Sequence, residues 1–283
     1  MSKRRKIIGA VTFFINDGCN YKCSYCFTSS KTKSSNLHVK NCKLFLQKVK
    51  KYVPKGWHFL VSGGGEPFLH PKFFYIVKKL IESGYFISIN TNLSSSLSDL
   101  KKFLKITGKQ LMHIRASLHL DHSDPDVFIG KIMDLKKSFP DFDNYCVVSV
   151  ALPEKLNHLK EVYLKFKKAG IKFELQSLRL KDDRYFKYSK KQQEKIDQVN
   201  SKLKKIKNLR SMLITGGKKC SCGFKYFVLS PCGESFRCIP AMKNRKNKNG
   251  YLGNILEGNF SLSDKPKICQ EKYCYCFEKY KNF

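Results

Sequence analysis

The sequence predicts an α/β protein: a partial (β/α)6 barrel over residues 1–207, then a small cysteine-rich unit over 208–283. Three observations carry this. Strand-like and helix-like stretches alternate six times up to residue 206, and such alternation implies parallel strands joined by right-handed crossovers. After 207 the texture changes, with Gly216-Gly217, short strands and seven cysteines. A chain of 283 residues is also long enough for one such barrel with an appendage.

The elements follow in order. "KIIGAVTFFI" (6–15) is β-branched and aromatic, hence a strand. Residues 38–53 carry helical spacing in Leu44, Leu46, Val49 and Val53, and Pro54 stops that helix. A strand at 57–63 precedes a helix at 71–84, which has Pro71 at its start and Gly84 past its end. Strand 85–92, helix 98–106 and strand 111–120 come next. Helix 125–139 is expected despite Gly130 in its interior. Strand 145–152, helix 156–170, strand 171–178 and helix 190–206 complete six units, which form an open, TIM-like partial barrel. Ligands of such sheets bind at the C-terminal ends of the strands.

Apolar residues make up 42% of the chain, which excludes a disordered protein. No apolar run approaches the roughly 18 residues that span a bilayer. "SKRRK" before "IIGAVTFFI" imitates a secretory signal, but "NDG" breaks it and no small-residue cleavage site follows. The expected location is therefore the cytoplasm, and no membrane partner is expected. The formal charge is +33, from 47 Lys and 8 Arg against 22 acidic residues. The excess is spread along the chain and is lysine-rich, whereas dedicated phosphate recognition favours the arginine fork. Nucleic acid is not the expected partner, and an anionic small molecule or acidic protein fits the field equally well.

Twelve cysteines in a chain without an export signal argue for metal. They fall in two groups, at 19–26 and 220–276, with Cys42 and Cys146 outside both as packing residues. "DGCNYKCSYCF" places Cys19, Cys23 and Cys26 at C-x3-C-x2-C on the loop after the first strand. Three thiolates can hold three irons of a [4Fe–4S] cluster and leave the fourth to a non-protein ligand. A zinc site with a distant fourth ligand is the plainer alternative. "VSGGGEPFLHP" follows the second strand, so its glycines lie on the same face and let backbone approach closely.

"CNYKCSYC" with "GGGEP" about forty residues later resembles the radical S-adenosylmethionine (SAM) enzymes. The resemblance covers the chain in order: cluster loop, glycine motif, six βα units, cysteine-rich tail. It implies that Cys19, Cys23 and Cys26 ligate a [4Fe–4S] cluster whose open iron chelates the methionyl part of SAM. It implies that the backbone of Tyr25 meets the adenine, and that Gly64, Gly65 and Glu66 accept the SAM ammonium. Thr91 and Asn92 ("INTN") and Ser117 ("RASLH") match positions that hold the ribose or carboxylate. The implied chemistry is reductive cleavage of SAM to a 5′-deoxyadenosyl radical, which abstracts hydrogen from substrate. The implied electron donor is a low-potential protein of flavodoxin or ferredoxin type.

The tail resembles a SPASM/Twitch auxiliary-cluster domain, since Cys222-x10-Gly233-x4-Cys238 is followed by "YLGNILEG" and "CQEKYCYC". The full seven-cysteine SPASM spacing is absent, and the single-cluster Twitch form fits better. Cys222 and Cys238, with two of Cys269, Cys274 and Cys276, would bind a second [4Fe–4S] cluster; Cys220 and Cys232 are surplus to the pattern. Relatives with such tails oxidise or cross-link peptides, or dehydrogenate small alcohols, so the expected substrate is a peptide or an anionic small molecule. The chain starts at strand one, without room for a leader-gripping module, which favours a small molecule or short peptide. His119, Asp121, His122 and Arg179 follow strands on the functional face and are candidate catalytic groups. A zinc-bearing, basic nucleic-acid binder is the alternative; it does not account for GGGEP after the second strand.

Overall fold

A computed structural model describes residues 8–26, 39–62, 64–180, 184–200, 213–214, 216–244, 250–271 and 273–274. Six strands alternate with six helices as the sequence predicts. They are β1 (Ala10–Phe13), α1 (Cys42–Tyr52), β2 (His58–Val61), α2 (Phe73–Glu82), β3 (Phe86–Thr91) and α3 (Leu97–Thr107), then β4 (Leu111–Ser117), α4 (Pro125–Ser138), β5 (Tyr145–Ala151), α5 (Leu156–Lys168), β6 (Lys172–Ser177) and α6 (Lys190–Val199). β1 to β6 lie side by side in parallel, in chain order. The last helix, expected over 190–206, is described to Val199, and the expected domain boundary at 207 lies outside the described residues.

Local chemistry sets the helix starts. The Asn41 side chain accepts from Leu44 N–H, so α1 begins at Cys42 and not at 38. Ser96 caps α3, and Asp124 caps α4 ahead of Pro125. Ser189 and Gln192 close a reciprocal capping box on α6. Before α2, Pro67–Leu69 forms a short 3-10 turn that delays the helix to Phe73. Gly130 is tolerated inside α4, where its missing side chain faces open space.

Strand periodicity divides the core into two layers. Val11, Phe13, Phe59, Val61, Ile87 and Ile89 are fully buried beneath the helices, against residues such as Phe45, Val49, Ile76 and Phe103. On the other face of the sheet, Ala10 and Phe14 pack with Tyr226, Val228 and Phe236. Strands covered on both faces read as continuous apolar runs, which is why the first strand looked like a signal segment.

The tail begins with β7 (Leu213–Ile214) and β8 (Lys219–Cys220), followed by β9 (Tyr226–Leu229), β10 (Glu234–Phe236), the short helix α7 (Ile239–Lys243), β11 (Tyr251–Asn254), β12 (Lys267–Ile268) and β13 (Tyr273–Cys274). β9 pairs in parallel with β1, β10 runs antiparallel to β9, and β11 antiparallel to β10. One nine-stranded sheet results, in the order β11-β10-β9-β1-β2-β3-β4-β5-β6. The cysteine-rich segment thus continues the barrel sheet. Among the described residues, no helix is long and apolar enough to cross a membrane.

Phe227 joins the two parts. It is fully buried, with its ring 6.1 Å from Trp57 and 5.0 Å from Phe260. Phe227→Ala should cost about 3–5 kcal/mol of stability through cavity formation. Urea unfolding followed by Trp57 fluorescence measures it. An unshifted Trp57 transition would show that the tail strands do not support the barrel core.

Candidate active site at the C-terminal ends of the strands

The cysteine loop leaves the end of β1 and carries little hydrogen-bonded structure of its own, so its neighbours must shape it. The glycine loop after β2 does so by backbone contact. Glu66 N–H donates to the Gly18 carbonyl at 2.8 Å, and Asn16 Nδ2 donates to the Glu66 carbonyl at 3.0 Å. A Cβ on Gly65 would lie 1.7 Å from the Gly18 oxygen, and one on Gly64 would lie 2.1 Å from the Asn16 oxygen. Gly64 also takes φ +88°, a conformation that L side chains rarely adopt. Both glycines are therefore needed for the cysteine loop itself. Gly63 lies outside the described residues.

Glu66 reaches the other way with its side chain. The carboxylate is 2% exposed and accepts from Thr91 Oγ1 at 2.7 Å, Asn92 N–H at 2.7 Å and Phe68 N–H at 3.4 Å. Burial pushes this carboxyl up to about 7, against the pull of the Asn92, Thr91 and Phe68 donors. The carboxylate thus serves the protein interior, where it locks the end of β3. Asn92 then returns to the cysteine loop, with Nδ2 donating to Asn20 Oδ1 at 2.9 Å. The turn after Asn92 places Leu93 at φ 53°, a strained conformation held by Leu93 N–H on Thr91 Oγ1 and by Lys131 on the Leu93 carbonyl.

The loop after β4 holds the other side. Tyr25 Oη lies 3.0 Å from His119 Nδ1, with the rings stacked at 5.9 Å. Tyr21 stacks on His122 at 4.6 Å and 16°, and its hydroxyl meets Ser123 Oγ at 3.1 Å. Asp121 pairs with Lys155 on the following loop. His119 is held neutral, its pKa lowered to about 4 by burial and by His122. Of the four expected catalytic groups, His119 and His122 thus face the cysteine loop and Asp121 joins two rim loops. Arg179 follows β6 and bridges its backbone to Tyr185. Ser117 ends β4, half-buried.

Cys19, Cys23 and Cys26 are all half-buried, and none of them is in a disulfide. Burial is the main influence raising the Cys19 thiol and pushes Cys23 up to about 11, with neighbouring thiols adding to both. Tyr21 N–H donates to Cys19 Sγ at 3.4 Å. Three thiols crowded in this way resist ionising together unless a cation is shared among them. Among the described residues no three ligand side chains converge on a single-ion site.

A second set of thiols gathers in the tail. Cys220, Cys222, Cys238, Cys269 and Cys274 line one small cavity together with Arg237. Cys220, expected to be surplus, belongs to it: hydrogen bonds from Cys222 and then Cys269 draw its thiol well down. Cys232, the other surplus cysteine, is exposed and lines no part of the cavity. Cys276 lies outside the described residues. Arg237 straps the cavity, donating to the carbonyls of Cys222 at 3.1 Å and Ile268 at 3.2 Å. Cys42 and Cys146 are buried away from both sets, as expected of packing residues.

Residues 13–175 match the family model described as the Radical SAM superfamily. A 98-residue stretch is 33% identical to the 7-carboxy-7-deazaguanine synthase of Aquifex aeolicus (strain VF5), covering 34% of this chain and 43% of that relative. The chain thus matches less than half the length of this curated relative. Solved structures of similar fold include anSMEcpe with bound AdoMet and Cp18Cys peptide, at TM-score 0.59 and 18% identity, covering 88% of this chain and 77% of that one. Streptococcus suis SuiB bound to S-adenosylmethionine gives TM-score 0.62 at 13% identity, covering 89% and 64%. BtrN in complex with AdoMet and 2-DOIA gives 0.54 at 14%, covering 90% and 80%.

Two outcomes follow from the loop geometry. Gly65→Ala should expose the cysteine loop to limited proteolysis, while Gly130→Ala, which meets nothing within 4 Å, should not; equal digestion of the two variants would contradict the backbone contact.

Glu66 has a folded pKa above its ordinary 4.5, so the fold binds this proton more tightly than the unfolded chain does. Its contribution to stability should grow as pH falls from about 7 to 4.5 and shrink as pH rises through that window. Urea titrations of cluster-free wild type and Glu66→Gln across this range should show their difference tilting toward wild type at the acid end. A flat difference would mean that the carboxylate is solvated.

Proposed function

As a member of the radical SAM superfamily, the chain is an enzyme, and we propose that it cleaves SAM reductively and abstracts a hydrogen atom from a peptide or an anionic small molecule. The observation that carries the reading is the interlock of the three-cysteine loop with the Gly64-Gly65-Glu66 loop at the strand ends. When bound, the [4Fe–4S] cluster and SAM supply an electron to the sulfonium and, from it, a 5′-deoxyadenosyl radical.

The chain's own residues do the holding and aiming. Cys19, Cys23 and Cys26 would hold three irons of the cluster. Gly64 and Gly65 keep that loop close to the strand ends, and Glu66 fixes Thr91 and Asn92 from within. By resemblance, Thr91, Asn92 and Ser117 would hold the ribose and carboxylate of SAM, and the Tyr25 backbone would meet the adenine. The barrel wall behind them excludes water and restricts the radical's reach.

The tail cavity supports a second [4Fe–4S] cluster on four of Cys220, Cys222, Cys238, Cys269 and Cys274, with Cys276 next in sequence. Residues 208–283 would then be a Twitch-like unit built onto the barrel sheet. A peptide or a small molecule fits the structural neighbours, one of which was solved with a peptide and another with 2-DOIA. A low-potential flavodoxin or ferredoxin would supply the electron, and the expected location is the cytoplasm.

Anaerobically reconstituted protein should form 5′-deoxyadenosine from SAM under dithionite and carry about eight irons per chain. Cys23→Ala should abolish the product. The Cys19/Cys23/Cys26 triple-alanine variant should keep about half the iron, and Cys222→Ala or Cys238→Ala should lose the other half. Wild-type product from Cys23→Ala would overturn the radical reading. An iron-free triple variant that retains zinc would make the tail a structural knuckle.

A further inference from the structure

We propose that the lysine-lined cleft between α1 and α2 is the docking surface for an acidic electron-donor protein, which delivers its electron to the cysteine loop after β1. The inference rests on the proposed function in one respect, that Cys19, Cys23 and Cys26 hold a redox cluster.

The lysine excess runs along the whole chain, but the fold does not leave it even. α1 carries Lys43, Lys48, Lys50 and Lys51, and among the described residues of the six barrel helices it is the one without an acidic side chain. α2 adds Lys78 and Lys79 against Glu82. Lys43, Gln47 and Lys50 stand four and three residues apart, so they share one stripe of α1. Tyr75 and Lys79 stand four apart and share a stripe of α2. The two stripes line one cleft, and no acidic side chain among the described residues lines it with them. Glu82 ends α2, away from the strand ends, and pairs with Lys79 at 2.7 Å. Tyr75 is 41% exposed in the cleft. A tyrosine offers a partner much contact area for little lost rotamer freedom, and interfaces are enriched in it for that reason.

The cleft lies beside the cysteine loop. Asn41, which caps α1, belongs to its lining. Two residues earlier, Val39 N–H donates to the Ile15 carbonyl at 3.3 Å, and His70 Nε2 from the loop before α2 lies 3.2 Å from the Val39 carbonyl. Ile15 is four residues from Cys19, a distance of at most about 14 Å even fully extended. Both helices turn their amino-terminal ends toward the strand ends, where the partial positive charge of the helix dipole adds to the lysine field.

The field selects an acidic macromolecule, and the place selects an electron donor. One electron leaves the donor, which is oxidised, and enters the cluster, which is reduced; no bond forms or breaks at the interface. A second copy of this chain would set lysine against lysine. Nucleic-acid recognition favours the arginine fork, and no arginine lines the cleft among the described residues.

Calorimetry of the cluster-free chain with two acidic probes, a flavodoxin and a [2Fe–2S] ferredoxin, tests the surface without turnover. Lys43→Glu/Lys50→Glu should bind them about tenfold more weakly than wild type at low ionic strength, and the gap should close as salt is added. Lys160→Glu/Lys167→Glu, the same charge change at exposed positions of α5, should bind like wild type. In reconstituted protein the cleft variant should raise KM for reduced flavodoxin about tenfold. Its kcat and its dithionite-driven rate of 5′-deoxyadenosine formation should stay at wild-type values. Equal weakening in the two double variants would reduce the attraction to net charge and overturn the proposal. Wild-type affinity in the cleft variant would overturn it too, as would failure of wild type to bind either probe. Retained probe binding with lost binding of a single-stranded oligonucleotide would give the cleft to nucleic acid instead. If the cleft variant also loses its dithionite-driven rate, it is misfolded, and Lys43→Gln/Lys50→Gln decides by the same comparison. If wild type yields no product even with dithionite, the proposed function fails, while the calorimetric comparison still decides the surface.

Discussion

One peptide amide, Glu66 N–H on the Gly18 carbonyl, fixes the cysteine loop against the end of β2. The loop from Asn16 to Cys26 has no ladder to hold it, so its position is borrowed from β2. The approach is close enough that a single methyl group at Gly64 or Gly65 would collide with backbone. Glu66 then faces two ways. Its main chain holds the cysteine loop after β1, and its carboxylate holds Thr91 and Asn92 after β3. Three strand ends are registered through one residue whose carboxylate is costly to bury and is satisfied by three donors.

Much of this was legible in the sequence. Alternating apolar runs with proline and glycine boundaries located every one of the six strand–helix units, because each is specified by its own neighbours. The glycine motif and the three cysteines were legible as a site because both follow strands of a parallel sheet. The reach of the tail was not. "YFVL" at 226–229 reads as any short strand, and nothing in its four residues says that its partner is β1. Cys220 was equally hidden: its spacing fits no pattern, and only the fold brings it to Cys222 and Cys269. Tyr21 and Ser123 carried no signal at all, since a stacked tyrosine and a loop serine look like surface residues until the β4 turn brings them together.

β1 links the two thiol sets. Its end launches the Cys19 loop, while Ala10 and Phe14 on the face away from the helices pack with Cys222 and Cys238. Arg237 couples the loop carrying Cys222 to the segment leading to Cys269. Changes around one set of thiols therefore have a direct mechanical route to the other through a single rigid strand. Such a route biases both sites only if it has two arrangements, and a packed strand of four fully buried or nearly buried residues favours one.

The parallel pairing of Ala10 with Tyr226 also orders events in time. During synthesis the amino-terminal strand emerges early, yet one of its two flanks stays unpaired until a segment more than two hundred residues later has left the ribosome. An apolar edge left open for that interval invites pairing with other chains, and long-range pairing of this kind is slow to form. The lysine-rich surface, by mutual repulsion between nascent chains, counters that hazard. Maturation should accordingly run from the carboxyl end backwards: only when the last strands have docked is the first strand closed on both sides, and only then is the loop it launches ready to receive iron.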